Sequence, residues 1–291
     1  MAFYTVQERS NYYVSIGEGR PVLLLHGISN SGRAWAPQVP ALVAAGYRVI
    51  VPDHAGHGAS AALSAPFGVQ DIADDTEALI GQLGIDRFDL IGLSLGGMVA
   101  LELALRHPSR IGRLIAANSF DRTATPAFAA MAAEWARLFR QPHGPVVRLE
   151  QNWPSLVSPT FQKTADGLRT WQVWHGIAAS ADGPSLAHVA RGITDFDRAD
   201  RIGELAMPAL FIAGGLDRMS PPALSRAMAE QAPRGAYQLI EGAAHISNVD
   251  SADTFTQSML RFLDPAFLDP AEPTAADQPL SGSSRGGMLG A

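Results

Sequence analysis

Phe88-Asp89-Leu90-Ile91-Gly92-Leu93-Ser94-Leu95-Gly96-Gly97-Met98 is the stretch on which the fold turns. Its first half is an apolar run of strand length. From Leu95 to Arg106 apolar residues recur at helical spacing, so Ser94 falls on a strand-to-helix turn inside a Gly-x-Ser-x-Gly pattern. The bare pattern is only suggestive in a glycine-rich chain; its position between strand and helix makes it informative. A nucleophile on so tight a turn has a strained backbone and an Oγ that projects above the carboxyl edge of a sheet. Gly92 and Gly96 let the chain crowd there. The amides that open the following helix form its positive end, so the Leu95 N–H is a candidate oxyanion donor.

Outward from this turn, short β-rich runs alternate with helical patterns. The runs are Tyr12 to Ile16, Val22 to Leu25, Tyr47 to Val51, Leu114 to Ala117, Ala209 to Ala213 and Tyr237 to Ile240. Val22-Leu23-Leu24-Leu25 is unbroken, as in a strand buried on both faces. Between the runs lie helical patterns over Ala34 to Ala45, Val69 to Leu83, Pro222 to Gln231 and Ala252 to Leu263. This order predicts a doubly wound, mostly parallel α/β sheet with helices on both faces.

The alternation stops between Asp121 and Asp200, where the spacing is helical throughout. Residues 1–120 and 201–264 are therefore assigned to the core, 121–200 to a helical cap, and 265–291, which show no periodicity, to a flexible tail. Four of the five tryptophans lie in the cap: Trp135, Trp153, Trp171 and Trp174. They form either the insertion's own small core or the apolar wall of a pocket, and the second reading makes them candidate substrate-binding residues. Of Arg137, Arg140, Arg148 and Arg169 in the same segment, one or two turned inward would bind a substrate carboxylate, and Arg137 is the assigned candidate.

Composition narrows the chemistry. Hydrophobic residues make up 47% of the 291 and charged residues 17%, enough apolar material for a core and too little charge for disorder. A net charge of −6 gives no electrostatic reason to approach nucleic acid or anionic lipid. Cysteine is absent, which excludes disulfides and a thiolate nucleophile, and Lys163 is the sole lysine. The first residues lack the basic and apolar regions of a secretion signal, and no apolar run is long enough to span a bilayer, so a cytoplasmic protein is expected. Oligomeric state is not legible in the residues.

A serine hydroxyl needs a base, and the base needs a carboxylate. Asp217, in Gly214-Gly215-Leu216-Asp217, and His245, in Glu241-Gly242-Ala243-Ala244-His245, each follow a strand and so fall on the same carboxyl edge as Ser94. Asp121, after the Leu114 to Ala117 run, is the backup acid. A second oxyanion donor is expected from the Ile28 N–H, in His26-Gly27-Ile28-Ser29 at another strand exit. His26 itself is read as a residue that fixes its loop. His54 and His57 lack the carboxylates of a metal site, and none is assigned.

These landmarks, with Asp53-His54-Ala55-Gly56-His57-Gly58, resemble the α/β-hydrolase superfamily over roughly residues 11 to 264, in the chain order Ser94, Asp217, His245. Within it, Gly27-Ile28-Ser29, the serine turn and His245-Ile246-Ser247-Asn248-Val249-Asp250 are most similar to 3-oxoadipate enol-lactonases and related carboxylesterases. Ala55 departs from the arginine common at that place, which bears on substrate more than on fold. The resemblance implies a cofactor-free serine hydrolase that cleaves a small ester or lactone through an acyl-enzyme. Alternatives are a carbon–carbon hydrolase of vinylogous diketones and, from another class, a ligand receptor with slow or no turnover.

Overall fold

The computed structural model describes residues 2–264; the tail expected over 265–291 lies outside them. Eight strands form one sheet: β1 (Ala2–Val6), β2 (Arg9–Ile16), β3 (Arg20–Leu25), β4 (Tyr47–Pro52), β5 (Phe88–Leu93), β6 (Ile111–Ala117), β7 (Ala209–Gly214) and β8 (Gly235–Ile240). Their spatial order is β1-β2-β4-β3-β5-β6-β7-β8. The β1–β2 and β2–β4 pairs are antiparallel, and every pair from β4 across to β8 is parallel.

Among the described residues the α-helices are α1 (Val39–Ala44), α2 (Val69–Gln82), α3 (Leu95–Arg106), α4 (Pro126–Phe139), α5 (Gly144–Leu156), α6 (Ala165–Ser180), α7 (Gly183–Gly192), α8 (Pro222–Gln231), α9 (Ser247–Asp250) and α10 (Ala252–Leu263). Both faces of the sheet are covered. In β3, Leu23 and Leu25 join one apolar cluster, with Ile72 of α2 and Leu101 of α3. Val22 and Leu24 join the other, with Leu42 of α1 and Phe255 of α10. Because successive side chains point to opposite faces, a strand covered on both must be apolar at every position, which explains its unbroken run. The expected mostly parallel α/β architecture is the one observed.

β1 and the segment before β4 differ from the sequence reading, and α9 is a further short helix that it did not include. β1 is an additional edge strand with only Tyr4 buried, too little apolar pattern to register. The helix expected over Ala34 to Ala45 is a 3-10 turn at Gly32–Trp35 followed by α1, with Pro40 in the first turn of α1. Pro40 has no N–H to donate, and its ring would clash with the Ala36 carbonyl in a continuous helix.

Between β6 and β7 the chain forms α4 to α7. It leaves and returns at one neck: the Thr123 and Ala124 N–H groups donate to the Phe196 carbonyl at 2.8 and 3.1 Å, and the Arg198 N–H to the Asp121 carbonyl at 2.8 Å. Among the described residues no helix is long and apolar enough to cross a membrane.

Candidate active site

β5 ends and α3 begins at Ser94, whose φ of 53° and ψ of −116° lie in a region that L-residues rarely adopt. The glycines around it are required by crowding. A Cβ on Gly92 would lie 2.0 Å from the Gly96 carbonyl oxygen, one on Gly96 would lie 2.1 Å from that of Leu25, and one on Gly97 would meet the Ser119 Cβ at 2.5 Å. The turn is tied down through the Ser94 carbonyl, which accepts from Gly97 N–H at 2.9 Å, Met98 N–H at 3.1 Å and the Ser119 hydroxyl at 2.8 Å.

The Ser94 Oγ lies 3.1 Å from His245 Nε2, and His245 Nδ1 lies 2.9 Å from Asp217 Oδ2. His245 follows β8 and Asp217 follows β7, so three strand exits deliver the three groups to one edge. The Asp217 carboxylate is held by further donors: Met219 N–H at 2.8 Å and Ser220 N–H at 3.0 Å on Oδ1, and the Ser220 hydroxyl at 2.7 Å and Asn118 Nδ2 at 2.9 Å on Oδ2. Burial works against its ionisation, but the His245 imidazole and these hydrogen bonds outweigh burial and hold the carboxyl below its usual range. With His245 accepting from a hydroxyl at Nε2, its Nδ1–H faces the carboxylate.

Asn118, Ser119 and Ser220 were absent from the sequence reading. Asn118 adopts a left-handed φ of 46° just after β6, and its side-chain oxygen also accepts from the Ser247 hydroxyl at 2.5 Å, which ties the loop after β8 to the acid. The available signal was position: a polar pair directly after the apolar run Leu114 to Ala117 that closes β6. Asp121, the backup acid, makes no hydrogen bond to His245; its carbonyl serves the neck.

Ile28 and Leu95 both line the cavity above Ser94, and neither amide donates to an acceptor among the described residues. The loop that carries Ile28 is fixed by His26, as expected. His26 Nε2 accepts the His54 N–H at 3.0 Å, so its Nδ1–H donates to the Gly27 carbonyl at 2.8 Å. His54 Nε2–H donates in return to the His26 carbonyl at 3.0 Å. Burial, reinforced by the neighbouring imidazoles, pushes His26 well below its ordinary pKa and His54 to about 3; burial alone pushes His57 to about 4. This cluster is neutral. No group of three or more His, Cys, Asp or Glu among the described residues is arranged to hold a metal ion.

The tryptophans divide. Trp135 and Trp174 line the cavity, whereas Trp153 and Trp171 do not; Trp153 meets Trp174 edge-on at 6.1 Å between ring centroids and Trp171 at 5.2 Å with inclined planes. Arg137 is a correction. It lies on the outer face of α4, 61% exposed, with its guanidinium on Glu134 at 2.8 and 2.6 Å, and takes no part in the cavity. The short i,i+3 pairing on a solvated face explains its direction. Arg169 likewise pairs with Asp166.

Arg148 of α5 is the inward one. It is 4% exposed, lines the cavity with Ser94 and His245, and lies over the Trp135 and Phe139 rings at 4.3 and 5.2 Å. Its Nη1 donates to the Ser29 hydroxyl at 3.3 Å, and among the described residues Nε has no acceptor and no carboxylate pairs with it. Burial lowers its pKa to about 10, so it remains a cation at neutral pH.

A mostly parallel sheet with a serine, an imidazole and a carboxylate gathered at its carboxyl edge is the build of a hydrolase. The chain belongs to the alpha/beta hydrolase fold family, whose model matches residues 20–252. It is similar to a protein named putative carbamate hydrolase RutD from Rhizobium rhizogenes, at 28% identity over 84% of this chain and 93% of that protein. Among solved structures, the enol-lactonase of Burkholderia xenovorans LB400 superposes with a TM-score of 0.83 at 27% identity, covering 90% of this chain and 99% of that one. A thermophilic esterase of Thermogutta terrifontis, solved with malate bound, also gives 0.83, at 28% identity over 89% of this chain and 95% of the other.

Proposed function

We propose that this hydrolase cleaves a carboxylic ester or lactone through an acyl-enzyme, with Ser94 as nucleophile, His245 as general base and acid, and Asp217 orienting the imidazole. The observation that carries the reading is the unbroken line from Ser94 Oγ through His245, at 3.1 and 2.9 Å, to a carboxylate held in its ionised form. Ser94 Oγ bonds to the carbonyl carbon as its proton passes to His245 Nε2, and the Ile28 and Leu95 N–H groups receive the oxyanion. The C–O bond then breaks, the leaving oxygen takes the proton from His245, and His245 activates water to release the acid. With a lactone the leaving oxygen stays tethered, so a single hydroxy acid forms.

Arg148 supports a substrate that carries a carboxylate. A buried guanidinium without a counter-ion is costly, and a carboxylate seated between Nε and Nη would offset that cost with a bidentate pair. The malate bound to the related esterase and the enol-lactonase likeness agree with such chemistry. A carbamate is the second reading, favoured by the name of the Rhizobium relative, and the same groups would serve it.

Turnover of p-nitrophenyl acetate against p-nitrophenyl hemisuccinate, by wild type and by Arg148→Met, tests both parts. The anionic ester should show the lower KM in wild type, and the substitution should raise that KM at least about tenfold while leaving the acetate little changed. Equal effects on both esters would remove Arg148 from substrate recognition. Labelling by an organophosphonate at any residue but Ser94 would overturn the nucleophile. A burst without turnover would favour the receptor, and faster cleavage of a vinylogous diketone the carbon–carbon hydrolase.

A further inference from the structure

The edge of the sheet opposite Ser94 carries a concentration of positive charge that the reaction does not use. Arg20 opens β3, Arg87 directly precedes β5, Arg113 is the third residue of β6, and Arg234 directly precedes β8. Because β3, β5, β6, β7 and β8 run parallel, their amino ends line up, and these four arginines frame a cleft of about 500 Å³. Among the described residues no carboxylate lines it. In a chain of net charge −6, that is a strong local reversal.

The cleft has built features. Asp89, fully buried beneath it, pairs with Arg20 Nη2 at 2.5 Å and pins that side chain. A side chain on Gly112 would destroy the pair, since its Cβ would lie 2.5 Å from Asp89 Oδ1 and 2.7 Å from Arg20 Nη2. Arg113 is 8% exposed, its guanidinium sits 5.9 Å from the Phe262 ring, and its buried Nε and Nη1 have no acceptor among the described residues. Burial and then the charge of Arg20 push its pKa down, against an opposing pull from the Asp89 carboxylate. Arg87 and Arg234 are exposed, and neither is in a salt bridge to a carboxylate among the described residues. Asp89 is committed to Arg20, so the unmet donors of the buried Arg113 guanidinium call for an anion with several oxygens.

We propose that this cleft is a second binding site, for a small oxyanion of the phosphate type, with Arg113 at its floor and Arg20, Arg87 and Arg234 around its rim. Planar guanidinium forks match phosphate oxygens two at a time, and the volume lies in the range of about 300–1,000 Å³ typical of small-molecule sites. A ligand there would lie across the sheet from Ser94 and would leave the reacting groups clear.

Titration calorimetry with inorganic pyrophosphate, at ionic strength fixed with potassium chloride, tests the site on the full chain. Wild type should bind one equivalent saturably. The Arg87→Gln/Arg234→Gln double variant should bind at least about tenfold more weakly, because two charge-assisted contacts are lost. Arg148→Met, which removes the cation of the cavity above Ser94, should bind as wild type does. Without ligand the double variant should melt no lower than wild type, since it loses only mutual repulsion; a lower melting temperature would contradict the unpaired state argued for both residues. Absence of saturable binding, or binding lost in Arg148→Met and kept in the double variant, would overturn the proposal.

Discussion

Ser94 occupies a backbone conformation that costs about 1–3 kcal/mol, and the structure sustains it through the three donors on its carbonyl. Ser94→Ala should fold normally and lose at least about 10³-fold in kcat on any ester, measured against melting temperature as the control for folding. Asn118 acts one step back, as a positioning residue. Asn118→Ala removes one donor from Asp217 and strands the Ser247 hydroxyl, so kcat should fall about tenfold with KM nearly constant. A rise in KM with unchanged kcat would instead place Asn118 in substrate binding.

At the scale of elements, the junction of β5 and α3 is the tightest place in the fold. Gly96→Ala would push a methyl into the Leu25 and His26 carbonyl oxygens, at 2.1 and 2.8 Å, and backbone cannot yield as a flexible side chain can. The substitution should destabilise the protein by about 2 kcal/mol or more and lower activity, as read by urea unfolding. α3 itself is enclosed along its length. Its one buried acid, Glu102, is paired with Arg106 at 2.7 Å and with Arg198, beyond the neck, at 2.6 Å. Glu102→Ala should therefore weaken the fold more than a surface pair would, whose worth is about 0–1 kcal/mol.

For the molecule as a whole, His26, His54 and His57 make stability depend on pH. Each is neutral when folded and gains a proton near its ordinary pKa when unfolded, so the unfolded state binds more protons as pH falls below about 6.5. Their contribution is full above that pH and is lost as pH falls toward the lowered folded values. Each contributes a slope of at most roughly 1 kcal/mol per pH unit as pH falls below its ordinary pKa. Asp217, held low, adds its loss further down the scale. His57→Gln should flatten the slope at pH 5 by about one such increment in equilibrium unfolding; an unchanged slope would mean that His57 is already protonated in the fold.

The limits of α3, α8 and α10 match the helical patterns in the chain residue for residue, and the parallel strands fall on its apolar runs. Periodicity and turn residues are local properties, so the amino-acid order alone established the α/β alternation and put Ser94, Asp217 and His245 each in the exit from a strand. Helices α4 to α7 were legible as helical and no further. Which way Arg137 and Arg148 face, which two tryptophans line the cavity, and that Asn118 and Ser220 reach Asp217 were decided only in three dimensions. A helix can rotate about its axis without changing its own hydrogen bonds, so packing against distant segments sets the direction of each side chain. The arginines at the amino edge are likewise far apart along the chain, and only strand order brings them around one cleft.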